Sequence, residues 1–260
     1  MLVQGGHVRE NLIRAVQFIR RASSHQAQIV LLPEALDLGW THPCALDEAG
    51  GIPDGHACSV LRSAAREFGV HVCAGLVERS GARLFNSAVL ISPDGGILLH
   101  HRKLNELEIG HGFYAQGDRL AVAETPLGTI GLMICSDAFV RGQVVGRTLG
   151  LMGADLILSP CAWAVPEAYD VEKTPYGELW SGSYGPVARD FHLWIAGISN
   201  VGVLSAGPWK GRPCIGNSMV VGPDGAVVRR GAFGKDAEEL ILVEVQTKPR
   251  PARGAGWDAV

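Results

Sequence analysis

Amphipathic stretches followed by short, unbroken apolar runs recur along this chain, and that alternation limits the folds open to it more than any other feature. Over residues 11–27, Leu12, Ala15, Val16, Ile19 and Ala22 fall at helical spacing with arginines between them, which predicts a helix. Residues 28–32 then read as a buried strand ended by Pro33, which has no N–H to give a neighbouring strand. The same reading gives a helix over 61–68 and strands over 70–77, 84–92, 97–101 and 129–134. A helix over 140–152 and strands over 156–159, 194–199, 217–221, 227–228 and 240–245 complete the pattern. Strands and helices interspersed in this way predict an α/β layer fold rather than a helical bundle or an all-β sandwich. Residues 162–187 carry aromatics, prolines and glycines with few periodic apolar positions, and read as a long loop with short helical pieces, of the kind that shapes sites. The turns Ser92-Pro93-Asp94-Gly95 and Gly222-Pro223-Asp224-Gly225 hint at related hairpins.

At 260 residues the chain is near the size at which one core still suffices, so a single domain over 1–260 is expected. Its 47% hydrophobic and 19% charged content fits a globular chain. The net charge is -3 with basic residues spread along the sequence, whereas backbone recognition wants a clustered positive surface, so nucleic acid is not the expected partner. The opening MLVQGGHVRENLIRA has no apolar h-region and no apolar run reaches membrane-spanning length, which makes the cytoplasm the expected location. Cysteines at 44, 58, 73, 135, 161 and 214 show no paired short spacing of the zinc-knuckle or thioredoxin type.

Three reactive residues stand where strands stop: Glu34 after IVLLP, Lys103 after ILLHHR, and Cys135 after TIGLMI. Strand ends of an open α/β sheet are favoured places for a site, because loops converge there around a ligand. Taken singly, Cys135 is a small core residue, Glu34 a loop or capping carboxylate and Lys103 a solvated cation. Taken together they make a workable chemistry. A carboxylate takes the thiol proton and later returns it to a leaving amine, while the thiolate attacks an amide carbon. An ammonium favours the thiolate and the oxyanion that follows, and the backbone amide after Cys135 adds a donor.

The blocks LLPEAL around Glu34, HRKL around Lys103 and GLMICSDAF around Cys135, in that order, resemble the catalytic blocks of the nitrilase superfamily of carbon–nitrogen hydrolases. ENLIRA, ADLILSP, ARDFHLWIAGISNVG and GNSMVVGPDG resemble its supporting segments, so that nearly the whole chain is covered. The resemblance implies a four-layer α-β-β-α sandwich with a Glu34–Lys103–Cys135 triad at strand ends, pairing into homodimers through outer helices, with no metal or organic cofactor. It also implies a second glutamate after the lysine, for which Glu108 is preferred over Glu106. Two departures stand out. Cys135 is followed by Ser136-Asp137-Ala138-Phe139-Val140-Arg141, without the proline and the glutamate or arginine of many members. The amino end leaves only Leu2-Val3-Gln4 for a first strand, so that either the start lies upstream or the sheet lacks much of one strand.

Trp163, after ADLILSPCA, is the expected pocket lining, with Phe139, Tyr114 and Ser136 as further candidates and Trp40 behind them. Asn200 is expected to support the site, and Tyr184, Arg189 and His192 to add polarity. His100 and His101 are adjacent on a strand and point to opposite faces, which makes them poor joint metal ligands, and His111 would need two distant acids to make a site. GHGFYAQGD and GVGVL lack the lysine-serine or lysine-threonine ending of a P-loop. The expected activity is hydrolysis of a small linear amide, ahead of N-carbamoyl hydrolysis and nitrile hydrolysis. No arginine-rich carboxylate clamp is evident, although Arg141 and Arg189 keep N-carbamoyl amino acids open. A noncatalytic family member and amide transfer are the remaining alternatives.

Overall fold

The computed structural model of the chain describes residues 1–247, so residues 248–260 of the expected domain lie outside it. The helices are α1 (Val8–Ser24), α2 (Ala45–Glu48), α3 (His56–Phe68), α4 (Val144–Leu151) and α5 (Glu178–Phe191). The strands are β1 (Ile29–Leu31), β2 (His71–Ser80), β3 (Arg83–Ile91), β4 (Ile97–Arg102), β5 (Val122–Thr125) and β6 (Gly128–Leu132). They continue with β7 (Leu156–Cys161), β8 (Trp194–Ser199), β9 (Val201–Val203), β10 (Pro213–Ile215), β11 (Met219–Val221) and β12 (Val227–Arg230).

The principal strands form two sheets, one ordered β1-β2-β3-β4 and one ordered β12-β11-β8-β7-β6-β5, with β9 and β10 a separate antiparallel pair. Period-two alternation decides what each face of the first sheet meets. Val72, Ala74 and Leu76 of β2, with Val89 and Ile91 of β3, pack against Leu12, Ile19 and Leu61 of α1 and α3. The intervening Cys73, Ala88 and Leu90 join a second core with Leu132 and Leu158 of the other sheet. That core extends through Ile157 and Ile195 to Val145, Leu149, Tyr184 and Val187 of α4 and α5. The result is the expected four-layer sandwich, helices outside and two sheets within.

Local sequence explains the element ends. Helix α3 stops at Gly69, whose φ of 64° is the left-handed conformation that closes a helix. The two Pro-Asp-Gly turns are alike: Asp94 Oδ1 accepts from the Gly96 N–H, and Asp224 Oδ1 from the Ala226 N–H, each at 3.0 Å. They join β3 to β4 in one sheet and β11 to β12 in the other.

Three expectations need correction. Residues 178–187 are not loop: α5 buries Trp180, Ser183, Tyr184, Val187 and Ala188 at helical spacing. The mixed chemistry of those five side chains, with Gly185 and Pro186 among them, hides the period. The strand over 156–159 continues through Pro160 to Cys161. Proline is tolerated there because β6 has ended at Leu132, opposite Leu158, and no longer asks β7 for a donor. Residues 240–245 form no strand; Leu240 and Leu242, with Ile29 and Leu31 of β1, line a cavity of about 820 Å³. At the amino end Leu2 makes one parallel bridge, to Val201. Among the described residues no helix is long and apolar enough to cross a membrane.

Candidate active site

Glu34 leaves β1 through Pro33 and lies against β2. The Leu36 N–H donates to Gly75 O at 2.9 Å, the Gly75 N–H to Pro33 O at 3.0 Å, and the Glu34 N–H to Cys161 O at 3.2 Å. Gly75 permits this contact, since a Cβ there would sit 2.5 Å from Glu34 Cα. Lys103 follows β4, its N–H donating to Asn86 O at 2.8 Å. Its Nζ donates to Glu34 Oε1 at 2.7 Å and to Glu106 Oε1 at 3.0 Å. Asn86 on β3 completes the group, with Nδ2 donating to Glu34 Oε1 at 2.6 Å and to Glu106 Oε2 at 2.9 Å. All four side chains are buried.

The structure therefore corrects the choice of second glutamate. Glu106 turns back on the lysine, accepts the Leu107 N–H at 2.9 Å and lies over Gly110. Glu108 opens a 3-10 turn, Glu108–Gly110, and faces solvent. Nothing in the local sequence separates the two acids, because the chain between them follows no regular helical or strand period.

Cys135 opens a 3-10 turn, Cys135–Phe139, just past β6, with φ at 46°, a conformation unusual for a side-chain-bearing residue. Asp137 holds this bend and was not foreseen. Its carboxylate accepts from the Ile134 N–H at 2.8 Å, the Leu104 N–H at 3.0 Å, the Asn105 N–H at 2.8 Å and His101 Nε2 at 2.8 Å. The cysteine turn is thus fastened to the lysine loop. Burial pushes the Asp137 carboxyl up, but the hydrogen bond and charge of His101, with the Ile134 N–H, outweigh it and keep the group below the usual carboxylate range.

Electrostatics sort the protons. Burial pushes the Cys135 thiol well above its ordinary pKa, a contact from the Cys161 thiol and the charge of Glu34 add to this, and Lys103 opposes it. Lys103 loses solvation, but Glu34 and Glu106 more than compensate and hold its ammonium firmly charged. Burial raises Glu34, Lys103 pulls it down and Glu106 pushes it back up, leaving it above the usual carboxylate range. The arrangement is a thiol that holds its proton, a fixed cation, and a carboxylate whose proton affinity lies above the ordinary range.

Trp163 is buried in the same core as Cys135 and stacks on Trp180 at 4.1 Å between ring centroids, with Tyr176 at 5.9 Å. Phe139 meets Trp180 at 4.3 Å. Trp180 and Tyr176 belong to the stretch that read as loop, and aromatic content was the available signal. Tyr114 is buried with its hydroxyl accepting the Thr41 N–H at 2.9 Å, and Trp40 packs on Trp209. Ser136 is not free to line a pocket: its Oγ donates to Asn105 O at 2.5 Å, and Asn105 Nδ2 donates to Ser136 O at 2.6 Å. Its role is to lock two loops together. Asn200 O accepts the Gly216 N–H at 3.0 Å and so organises the turns beyond β8. Tyr184 lies under the sheet, its hydroxyl 3.4 Å from Ser159 Oγ. Arg189 and His192 are exposed at the end of α5 and add nothing to the site. His100 reaches Glu78 and His101 reaches Asp137, each at 2.8 Å, so the adjacent histidines do point apart. His111 hydrogen-bonds Glu106 O at 3.2 Å. Among the described residues no three His, Cys, Asp or Glu side chains are grouped to hold a metal ion.

Comparison with known proteins bears on this arrangement. The family model described as carbon-nitrogen hydrolase matches residues 2–251. A nitrilase from Pyrococcus abyssi is 29% identical over 240 residues, covering 91% of this chain and 83% of that protein. Omega-amidase NIT2 from Bos taurus is 32% identical over 164 residues, covering 59% of this chain and 58% of that one. The crystal structure of a carbon-nitrogen hydrolase from Helicobacter pylori superposes with a TM-score of 0.80 at 23% identity, over 92% of this chain and 85% of that one.

Proposed function

The chain belongs to the carbon–nitrogen hydrolase family, and we propose that it hydrolyses a small linear amide to ammonia and a carboxylic acid through a thioester on Cys135. The observation that carries this reading is the Lys103 ammonium held between Glu34 and Glu106, within electrostatic reach of the Cys135 thiol. Because the resting thiol keeps its proton, attack is coupled to proton transfer. Glu34 accepts the proton as sulfur adds to the amide carbon, and the oxyanion forms against Lys103 and the Ser136 N–H at the start of the 3-10 turn. Glu34 then protonates the nitrogen, the carbon–nitrogen bond breaks and ammonia leaves. Water attacks the thioester with Glu34 again as base, releasing the acid and restoring the thiol. Asn86 and Glu106 hold Glu34 and Lys103 in register.

The aromatic group of Trp163, Trp180, Phe139 and Tyr176 supports an apolar acyl portion. Arg141 and Arg189, on which a carboxylate clamp for N-carbamoyl amino acids would draw, are both exposed, which favours the amide. Nitrile hydrolysis is the second reading, favoured by the name and extent of the Pyrococcus relative. Intact-protein mass spectrometry of wild type and Cys135→Ala, after brief exposure to amides, N-carbamoyl amines and nitriles with ammonia followed in parallel, tests the assignment. The expected result is a Cys135-dependent acyl adduct and turnover with amides. Unchanged turnover in the alanine variant overturns it.

A further inference from the structure

We infer that Cys135 and Cys161 form a redox-reactive pair, in which Cys161 captures oxidised Cys135 as a disulfide. Cys161 takes no part in the amide chemistry, yet it is the thiol that the structure places against the Cys135 thiol. The placement follows from strand register. Strands β6 and β7 run parallel with Leu132 opposite Leu158, and the Met133 N–H continues the ladder to Leu158 O at 3.2 Å. Beyond that point Cys135 opens the 3-10 turn just past β6, and Cys161 closes β7, so the two thiols stand where neighbouring strands end.

The surroundings of Cys161 fix its side chain on that face. Its Sγ lies 3.2 Å from Ser159 O, 3.5 Å from Ser159 Oγ and 3.8 Å from Tyr184 Oη, and its carbonyl accepts the Glu34 N–H at 3.2 Å. Cys161 has no solvent exposure and Cys135 is 8% exposed, so a small oxidant meets Cys135 first. All six cysteines are free thiols in this structure.

The chemistry balances with a hydroperoxide as oxidant. Cys135 sulfur, giving up its proton to Glu34, attacks one peroxide oxygen; the S–O bond forms, the O–O bond breaks, and the departing oxygen takes the proton as water or alcohol. Cys161 sulfur then attacks the sulfenic sulfur; the S–S bond forms, the S–O bond breaks, and the Cys161 proton leaves with the hydroxyl as water. A thiol reductant returns both sulfurs to thiols. Capture in this form removes Cys135 from catalysis while sparing it the irreversible sulfinic acid. The inference goes beyond the amide reading, because it needs only that Cys135 be oxidised, whatever substrate it serves.

The test is non-reducing peptide mapping of the purified full chain after hydrogen peroxide, with free thiols alkylated. The expected result is a Cys135 peptide joined to a Cys161 peptide, lighter by two hydrogens than the separate pair and restored by dithiothreitol. In Cys161→Ser the linked species disappears and Cys135 is trapped as a sulfenic acid by dimedone; Cys161→Ala is the second variant if the serine perturbs folding by circular dichroism. Wild-type protein carrying sulfenic or sulfinic Cys135 with Cys161 still alkylated, Cys135 joined to another cysteine, or Cys135 left unoxidised each overturns the pairing. Because the readout is thiol connectivity, failure of the amidase assignment would appear separately, as missing turnover.

Discussion

Glu34 and Glu78 are buried alike, at 1% and 2% exposed, and each is bound by side chains from β3 and the end of β4. Strand alternation assigns the neighbours. Asn86 and Lys103 serve Glu34 on the side facing the second sheet, whereas Ser87, His100 and Arg102 serve Glu78 on the helix side. Their titrations go opposite ways. Burial pushes Glu78 up, but hydrogen bonds from His100, Arg102 and Ser87, with the charge of His100, take it down to about 2. Arg102 grips it with two nitrogens, Nε at 2.9 Å and Nη2 at 2.5 Å. Glu34 shares a single ammonium with Glu106 and remains above the usual range. Depth alone does not set the proton affinity of a buried acid; the cationic and hydrogen-bonding partners it holds undivided do.

The largest effect that could break this contrast is on turnover. Glu34→Gln keeps the acceptor for Lys103 and Asn86 but removes the proton shuttle, so kcat should fall by about 10³-fold, within the range for a lost general acid–base. Since ionised Glu34 is held above its ordinary pKa, its charge opposes folding at neutral pH, and the same variant should melt no lower than wild type. Glu78→Gln should do the reverse, leaving kcat of the folded protein near wild type while lowering the urea midpoint. A Glu78 variant that lost turnover without losing stability would erase the distinction.

Asn86→Asp comes next, since it places a third carboxylate around one ammonium. A fall in kcat of about 10²-fold is expected from the misplaced proton and lysine, whereas Ser87→Asp, the adjacent residue facing Glu78, should act on stability first. Steady-state kinetics beside urea melts separate the two.

The pH dependences sharpen the comparison further. Activity requires Glu34 ionised, so its acidic limb should lie above the ordinary glutamate value of 4.5 and vanish from the residual activity of Glu34→Gln. Glu78 is depressed, so its contribution is fully present above its ordinary 4.5 and is lost as pH falls through about 2. With Arg102 27% exposed, that contribution is roughly 1–2 kcal/mol after screening. Urea unfolding across that window should show the decline, and Glu78→Gln should flatten it. The smallest effect is Ser87→Ala, about 1 kcal/mol for one lost hydrogen bond.

Residues close to regular strands were the legible ones. Glu34 and Cys135 stand out because each closes an apolar run, whose end is written in the chain where the next residue turns polar or to proline, and Lys103 because it follows the strand that opens with Ile97-Leu98-Leu99. Glu106 was not preferred over Glu108 because their difference rests on one hydrogen bond to Leu107 and a close approach to Gly110, neither of which leaves a periodic trace. Helix α5 was obscured because its buried stripe mixes tryptophan, serine, tyrosine, valine and alanine. The strand expected over 240–245 had the composition, but that segment lines a cavity and pairs with no strand among the described residues.

By itself the sequence determined the alternation of helices and strands and the three strand ends that carry reactive groups, because periodicity and chain breaks are properties of neighbours along the chain; the four-layer order was implied only by the resemblance of its motifs to a family. Only the tertiary structure decided that Asn86 bridges two carboxylates, that Asp137 fastens the cysteine turn to the lysine loop, and that the strands leading to Cys135 and Cys161 are neighbours. Those relations join residues far apart in sequence, and their energies depend on burial and on which charges share a partner, quantities that exist only once the sheets have packed.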